Sequence, residues 1–109
     1  MIMATFDTSK IFSMDRSIEY TSGGVVSKLI VNSEGGNITL FSFDKGQGLT
    51  EHSASYDALV QVIDGEVEIT IDGNLHNLKK GDSIIMPANV PHALYAVESF
   101  KMILTMIKN

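Results

Sequence analysis

Two histidines, His52 and His92, are the side chains of this sequence best suited to chemistry. An imidazole binds first-row metals through a ring nitrogen, and it exchanges protons near neutral pH. No cysteine is present, so thiolate metal sites and cysteine nucleophiles are excluded. A metal held by these two histidines would need a further ligand, for which Asp57, Glu51 or water are candidates. Either the site has no cofactor or it holds one divalent ion, which would be Zn, Ni, Fe, Mn or Cu.

Either histidine also has a plainer interpretation, as a core residue whose ring nitrogens are satisfied by backbone or water. His76, the third histidine, lies in a stretch where alternation favours a surface position. Ser53 beside His52 forms no catalytic pair, because adjacent residues of a strand face opposite ways. Chemistry therefore depends on whether the fold brings His52 and His92 together.

Short strands are predicted to position these histidines. Residues 66–72 alternate, with Val67, Ile69 and Ile71 on one face and polar residues on the other, which is typical of a half-buried strand. Glycine-containing turns separate further runs rich in β-branched and aromatic residues. These runs predict strands at 36–44, 57–64, 82–86, 92–97 and 100–107, and another that ends at Lys79. The predicted class is all-β, a barrel or a double-sheet jelly roll that protects its strand edges.

Two segments resemble the two motifs of the cupin superfamily. In the first motif Gly46, His52 and Gly65 fall on the family pattern, and in the second Gly81, Pro87 and His92 agree with it. The resemblance covers the central half of the chain. It implies a double-stranded β-helix, the jelly-roll barrel of cupins, with both histidines projecting into its interior.

The sequence departs from the pattern of the metal-binding cupins. Ala54 stands at the second histidine position, Ala58 at the glutamate position, and Ala96 where some members have asparagine. Alternation from His52 keeps Ala54, Ala58, Val60 and Val62 on one face and turns Asp57 outward, unless a bulge between His52 and Asp57 shifts the phase. A complete family metal site is not expected.

The alternative to a metal site is an apolar cavity in which the two imidazoles are the polar groups. Ordinary core packing would use the same residues, so the sequence leaves a lined cavity and a filled core both open. The predicted pocket residues, besides the two histidines, are Ala54, Ala58, Val60, Val62, Ile69, Ile84, Met86, Leu94 and Met102.

Three functions are compatible with this sequence. The first is a small-molecule-binding cupin whose ligand is not identified. The second is an enzyme, either dioxygenase-like or isomerase-like with a metal on His52 and His92, or a metal-free isomerase or lyase using the two as acid and base. The third is a structural or interaction barrel without chemistry in its pocket.

Bulk properties narrow the partners. The 109 residues predict one domain spanning 1–109, and a formal charge of −5 without basic clusters argues against nucleic acid. No secretory signal or membrane-spanning run is visible, which predicts a cytoplasmic protein without membrane contact. Ile103 and Ile107 make the outer face of the last strand apolar too, so we expect either a homodimer or burial of that face within the monomer.

Overall fold

The computed structural model describes residues 6–108, and nine strands lie in this part of the chain after a short 3-10 helix at Asp15–Ser17. The strands are β1 Val25–Ser33, β2 Gly36–Phe43, β3 Gly48–His52, β4 Asp57–Asp64, β5 Glu66–Ile71, β6 Asn74–Lys79, β7 Ser83–Met86, β8 His92–Ala96 and β9 Phe100–Ile107. The prediction of an all-β chain is confirmed, and each predicted strand is present with its bounds within a residue of those expected.

The strands form two antiparallel sheets. One has five strands in the order β1-β2-β9-β4-β7, and the other has four in the order β3-β8-β5-β6. Apart from the β1–β2 and β5–β6 hairpins, neighbouring strands are not consecutive in sequence, as in a jelly roll, and the two sheets enclose one apolar core. The predicted double-stranded β-helix is therefore confirmed.

The core between the sheets is built by the alternating residues of β4, β5 and β9. Phe43 and Phe100 stack within it, with ring centroids 4.6 Å apart. Val60, Val62 and Ile69 are almost fully buried in the same cluster. This packing fixes the inward face of each strand and so sets which residues reach the barrel interior.

A second apolar cluster lies on the outer face of the five-stranded sheet, under residues 6–18, which we call the N-terminal strap. Ile18, Ile30 and Leu40 are its buried members, and Ile103 of β9 packs against them. Burial within the monomer, one of the two expectations for the outer face of β9, thus applies in part to Ile103, which is partly buried. Ile107 is 52% exposed, and the homodimer stays a prediction.

Lys101 ties the strap to the sheet. Its side chain is nearly buried, and Nζ donates to the backbone oxygen of Asp15 at 2.7 Å and to its carboxylate at 3.1 Å. Tyr20 contributes its ring 5.2 Å from the same ammonium and donates its hydroxyl to Asp64. Burial, together with the Asp64 carboxylate, raises the pKa of Tyr20 above its ordinary value.

The β4–β5 turn requires glycine at position 65. Gly65 has a φ of +77°, and a Cβ built there would lie 1.9 Å from the backbone oxygen of Ser99. Only a residue without a side chain fits so close to the neighbouring backbone. Among residues 6–108 no helix has the length and apolar character needed to cross a membrane.

Candidate ligand-binding site

His52 and His92 face each other across the β3–β8 pair. They are direct partners in the antiparallel register, so their side chains project from the same face of the sheet. Their ring centroids are 4.4 Å apart, and the rings are inclined by 69°. The fold therefore brings the two histidines together.

Each ring is anchored through Nδ1 to a backbone oxygen two residues earlier. His52 Nδ1 lies 2.7 Å from the oxygen of Thr50, and His92 Nδ1 lies 3.2 Å from that of Val90. A carbonyl oxygen only accepts, so both Nδ1 atoms carry hydrogen. In a neutral ring the lone pair is then on Nε2, which is the arrangement of an acceptor or a metal ligand.

The two histidines differ in their contact with water. His92 is 5% exposed, whereas His52 is exposed at the end of its strand. Burial lowers the pKa of His92, and the charge of His52 lowers it further, while the hydrogen bond to Val90 opposes both effects. His92 is therefore neutral at pH 7, with Nε2 free of a proton.

A cavity of about 90 Å³ adjoins the histidines between the two sheets. It lies at the end of the barrel where β3 and β7 finish and β4 and β8 begin. Apart from the two imidazoles its walls are alanine, leucine and methionine. The lining residues are Leu49, His52, Ala54, Ala58, Met86, His92, Leu94, Met102, Leu104 and Met106.

Most of the predicted pocket residues line this cavity, but Val60 and Val62 do not. They lie further along β4 and are packed in the core with Ile69, which does not line the cavity either. Ile84 packs against that core and is also absent from the lining. The expectation that these four residues wall the pocket is corrected, because the cavity occupies only one end of the barrel.

Three lining residues were not predicted. Leu104 and Met106 continue the inward face of β9 beyond Met102, so alternation along that strand is a signal that identifies them. Leu49 precedes His52 on β3, and the register of that strand shifts between them. No local pattern in the sequence marks this shift.

Asp57 does not point into the cavity. Its carboxylate accepts a hydrogen bond from the Ala88 backbone N–H at 2.8 Å, and it is not part of the cavity wall. A bulge between His52 and Asp57 would have turned Asp57 inward, but the irregularity in the register lies before His52. At the start of β4 it is Ala58 that is buried, and Asp57 is exposed. Glu51 is exposed and is likewise absent from the lining.

The donor set does not fit the divalent metal site of metal-binding cupins. Ala54 and Ala58 occupy the positions of two of its ligands and line the cavity with methyl groups. Across residues 6–108, no group of three His, Cys, Asp or Glu side chains is placed to hold a metal. Two imidazoles alone leave a divalent ion without a protein carboxylate to balance its charge.

Backbone contacts frame the mouth of the cavity. Asn89 has a φ of +63°, and its N–H donates to the oxygen of Ala54 at 2.6 Å. Asparagine adopts this left-handed conformation more readily than other non-glycine residues. With the Ala88–Asp57 bond, it joins the β3–β4 loop to the β7–β8 turn.

Two larger clefts lie elsewhere, but neither contains a histidine. One, of about 440 Å³, is next to the N-terminal strap and includes Asp7 and Lys10, which form an exposed ion pair at 3.3 Å. The other, of about 240 Å³, lies beside Gly36 at the β1–β2 turn. His76 is exposed on β6, outside all three spaces.

Two antiparallel sheets that enclose a histidine-bearing cavity at one end define a double-stranded β-helix with an interior site. The family profile described as cupin domain matches residues 39–108, well over half of the chain. The chain belongs to the cupin family. Membership in this family supports binding of a small molecule or a metal.

Solved structures agree with this assignment. A conserved protein of unknown function from Streptococcus pyogenes is 36% identical over 100% of this chain and 96% of that one, with a TM-score of 0.92. A cupin 2 conserved barrel domain protein from Leptotrichia buccalis is 42% identical over 89% of this chain and 47% of that one, with a TM-score of 0.85. A cupin superfamily protein from Desulfitobacterium hafniense is 26% identical over the whole of both chains, with a TM-score of 0.90. No curated protein sequence matches the chain.

Proposed function

We propose that this protein binds a small, largely apolar molecule in the cavity and orients it through His52 and His92. The observation that carries the proposal is the anchoring of both rings through Nδ1 beside an otherwise apolar space, which leaves the two Nε2 atoms as the acceptors for a ligand. A ligand that matches them carries a hydroxyl or amine donor on an apolar body. Such sites combine burial of apolar area with a few polar contacts that fix orientation.

The size of the cavity limits the ligand. About 90 Å³ is well below the roughly 300–1,000 Å³ of sites for drug-sized molecules. The ligand is therefore either a compound of few heavy atoms or a longer one that inserts only one end past His52. Each Å² of buried apolar surface contributes roughly 25 cal/mol, so binding of such a ligand is modest in strength.

The test is a thermal-shift screen of small alcohols, phenols and amines at millimolar concentrations, followed by calorimetric titration of the compounds that stabilise the protein. His52→Ala and His92→Ala are each expected to weaken binding by about 10-fold or more, because the ligand's buried donor loses its partner. His76→Ala is the matched control and keeps full affinity, since that ring is exposed on β6. A screen without a binder, or affinity that survives both cavity variants, contradicts the proposal.

A metal-free acid–base enzyme is the second candidate, favoured by the difference between the two rings. His92 is buried with a lowered pKa and is fit to accept a proton, while His52 is exposed at the mouth of the cavity. The expected reaction class is an isomerisation or elimination on the bound ligand. Conversion of a ligand identified in the screen, followed by NMR, tests it: turnover by wild type that is lost in His92→Ala supports this function, and an unchanged ligand contradicts it.

A further inference from the structure

The cavity that lacks hard metal ligands has a second set of donors, the methionine thioethers. Met86, Met102 and Met106 line it together with His52 and His92. Thioether sulfur and imidazole nitrogen are both neutral lone-pair donors. The remaining lining residues are alanines and leucines, which offer no competing polar side chain.

The register places two of these methionines on either side of Ala58. Met86 of β7 and Met106 of β9 are both direct partners of Ala58 on β4, so the three side chains form one row on the inner face of the five-stranded sheet. Residues paired in this way have Cβ atoms about 4.5–5.5 Å apart. The small methyl group of Ala58 leaves room above it, and flexible methionine side chains are long enough to bring their sulfurs into that space.

The imidazoles come from the opposite sheet. His52 and His92 are carried by β3 and β8, which face the row of Met86, Ala58 and Met106 across the cavity. Nitrogen donors on one wall and sulfur donors on the other thus enclose the same space. Met102 lies two inward-facing positions further along β9, beyond Leu104 and opposite Val62 in the register, and it also lines the cavity.

The charge of an ion determines how readily it can be bound in this apolar cavity. No carboxylate lines the cavity, so any bound ion keeps its full charge in an apolar environment. The cost of moving an ion out of water rises with the square of its charge, which favours a monovalent over a divalent ion. Thioether ligands select Cu(I) among the metals available to proteins.

We propose that the cavity binds one Cu(I) ion through the imidazole Nε2 atoms of His52 and His92 and the thioethers of Met86 and Met106. The inference goes beyond the proposed binding of an organic ligand and does not depend on it. It assigns a soft-metal site to the place where the cupin pattern would put hard ligands, with Ala58 providing space where the pattern has glutamate.

The test is an anaerobic titration of the full chain with Cu(I), supplied as its acetonitrile complex, in competition with the chromophoric chelator bicinchoninate. The protein is expected to withdraw one equivalent of Cu(I) from the chelator. X-ray absorption at the copper edge is expected to show both nitrogen and sulfur scatterers. Failure to compete at any protein excess, or a spectrum without sulfur, overturns the proposal.

Matched variants separate the methionines of the site from methionine in general. The double variant Met86→Leu/Met106→Leu keeps the apolar volume but removes both sulfur donors. It is expected to lower Cu(I) affinity by at least about 10-fold, because loss of a residue that only supports a metal ligand already has an effect of that size. Met14→Leu is the control, because Met14 packs against the outer cluster instead of the cavity. Equal affinity in the double variant and the control overturns the proposal, and circular dichroism establishes that each variant is folded.

The outcome is distinguishable from that of the proposed organic ligand. Met86→Leu/Met106→Leu removes the sulfur donors but keeps both imidazoles, so histidine-dependent binding of an alcohol or amine persists in it.

Zn²⁺ and Ni²⁺ are the remaining probes: weaker binding than Cu(I) by more than 10-fold supports the soft site, and equal or tighter binding of either ion overturns it.

Discussion

His92 lies directly opposite His52 in the β3–β8 register, with the two ring centroids 4.4 Å apart. One ring is buried and the other is at the mouth, so a pair of like side chains spans the boundary between water and the cavity. Burial lowers the pKa of His92, and the ring of His52 is exposed to solvent. Acidification is therefore the simplest perturbation of the site.

Stability is expected to fall as pH drops below about 6.5, and His92 is the reason. The pKa of His92 is lowered in the folded protein from its ordinary value of 6.5. The unfolded chain therefore binds the proton more readily, and the stabilising contribution, complete above pH 6.5, is lost as pH falls toward the lowered pKa. Urea unfolding at pH 7.5 and at successively lower pH is the measurement. His92→Gln is expected to flatten this dependence and His76→Gln to retain it; identical slopes in wild type and His92→Gln would refute the assignment.

Restoring the two missing ligands is expected to create a divalent site. Ala54 and Ala58 both line the cavity beside His52, so the double variant Ala54→His/Ala58→Glu adds an imidazole and a carboxylate to the existing pair. The buried carboxylate destabilises the metal-free variant, and Zn²⁺ or Ni²⁺ reverses that loss by binding the folded state. Calorimetric titration and the metal-dependent rise in melting temperature measure it.

The control for that experiment is Ala54→His/Ala58→Gln, which has similar volume but no added charge. It is expected to bind the same ions at least about 10-fold more weakly, because a carboxylate both ligates and balances charge. Equal affinity in the two variants would mean that residue 58 does not reach the ion.

Alanine substitutions at two glycines distinguish the effect of backbone strain on stability from that of steric overlap. Gly73→Ala is expected to destabilise by about 1–2 kcal/mol, because φ is +79° but no atom lies within 4 Å of the added Cβ. Gly65→Ala has the same strain and also meets the backbone of Ser99 and Phe100, so a loss of at least about 3 kcal/mol is expected. Chemical denaturation measures both, and similar losses in the two variants would contradict the close approach at Gly65.

Lys101→Met is expected to loosen the N-terminal strap without opening the cavity. The substitution removes charge-assisted bonds from Nζ to Asp15, a loss of about 1–2 kcal/mol given that Asp15 is more than half exposed. The rate of trypsin cleavage after Arg16 is the measurement, and it should rise several-fold. Lys45→Met is the control, since the Lys45–Glu98 pair is exposed and contributes little. Equal cleavage rates in both variants would show that Lys101 does not hold the strap.

The strands could be predicted from the sequence because half-buried strands alternate. Val67, Ile69 and Ile71 show the pattern most clearly, and β5 lies where they predict it. β1 escaped prediction since it is an edge strand, largely exposed, with its register broken between Leu29 and Val31. A strand without a continuous buried face lacks the alternation of apolar and polar residues by which a strand is predicted.

The sequence predicts the two histidines of the site but not how far the cavity extends along the barrel. The match to the two cupin motifs predicts His52 and His92, and in the structure His52 ends β3 and His92 begins β8. Alternation along β4 also placed Ala58, Val60 and Val62 on one face, but only Ala58 reaches the cavity. Where two sheets separate along their length depends on packing across the barrel, which the pattern of a single strand does not contain.

The inward-facing residues of β4 differ in whether they line the cavity. Ala58 both lines the cavity and belongs to the core cluster, whereas Val60 and Val62 on the same strand belong to the core and do not line the cavity. Substitutions at position 58 are therefore expected to change the shape of the cavity while leaving the packing of Val60 and Val62 in place. The shape of the cavity and the stability of the barrel are thus expected to respond largely to different residues of the same strand.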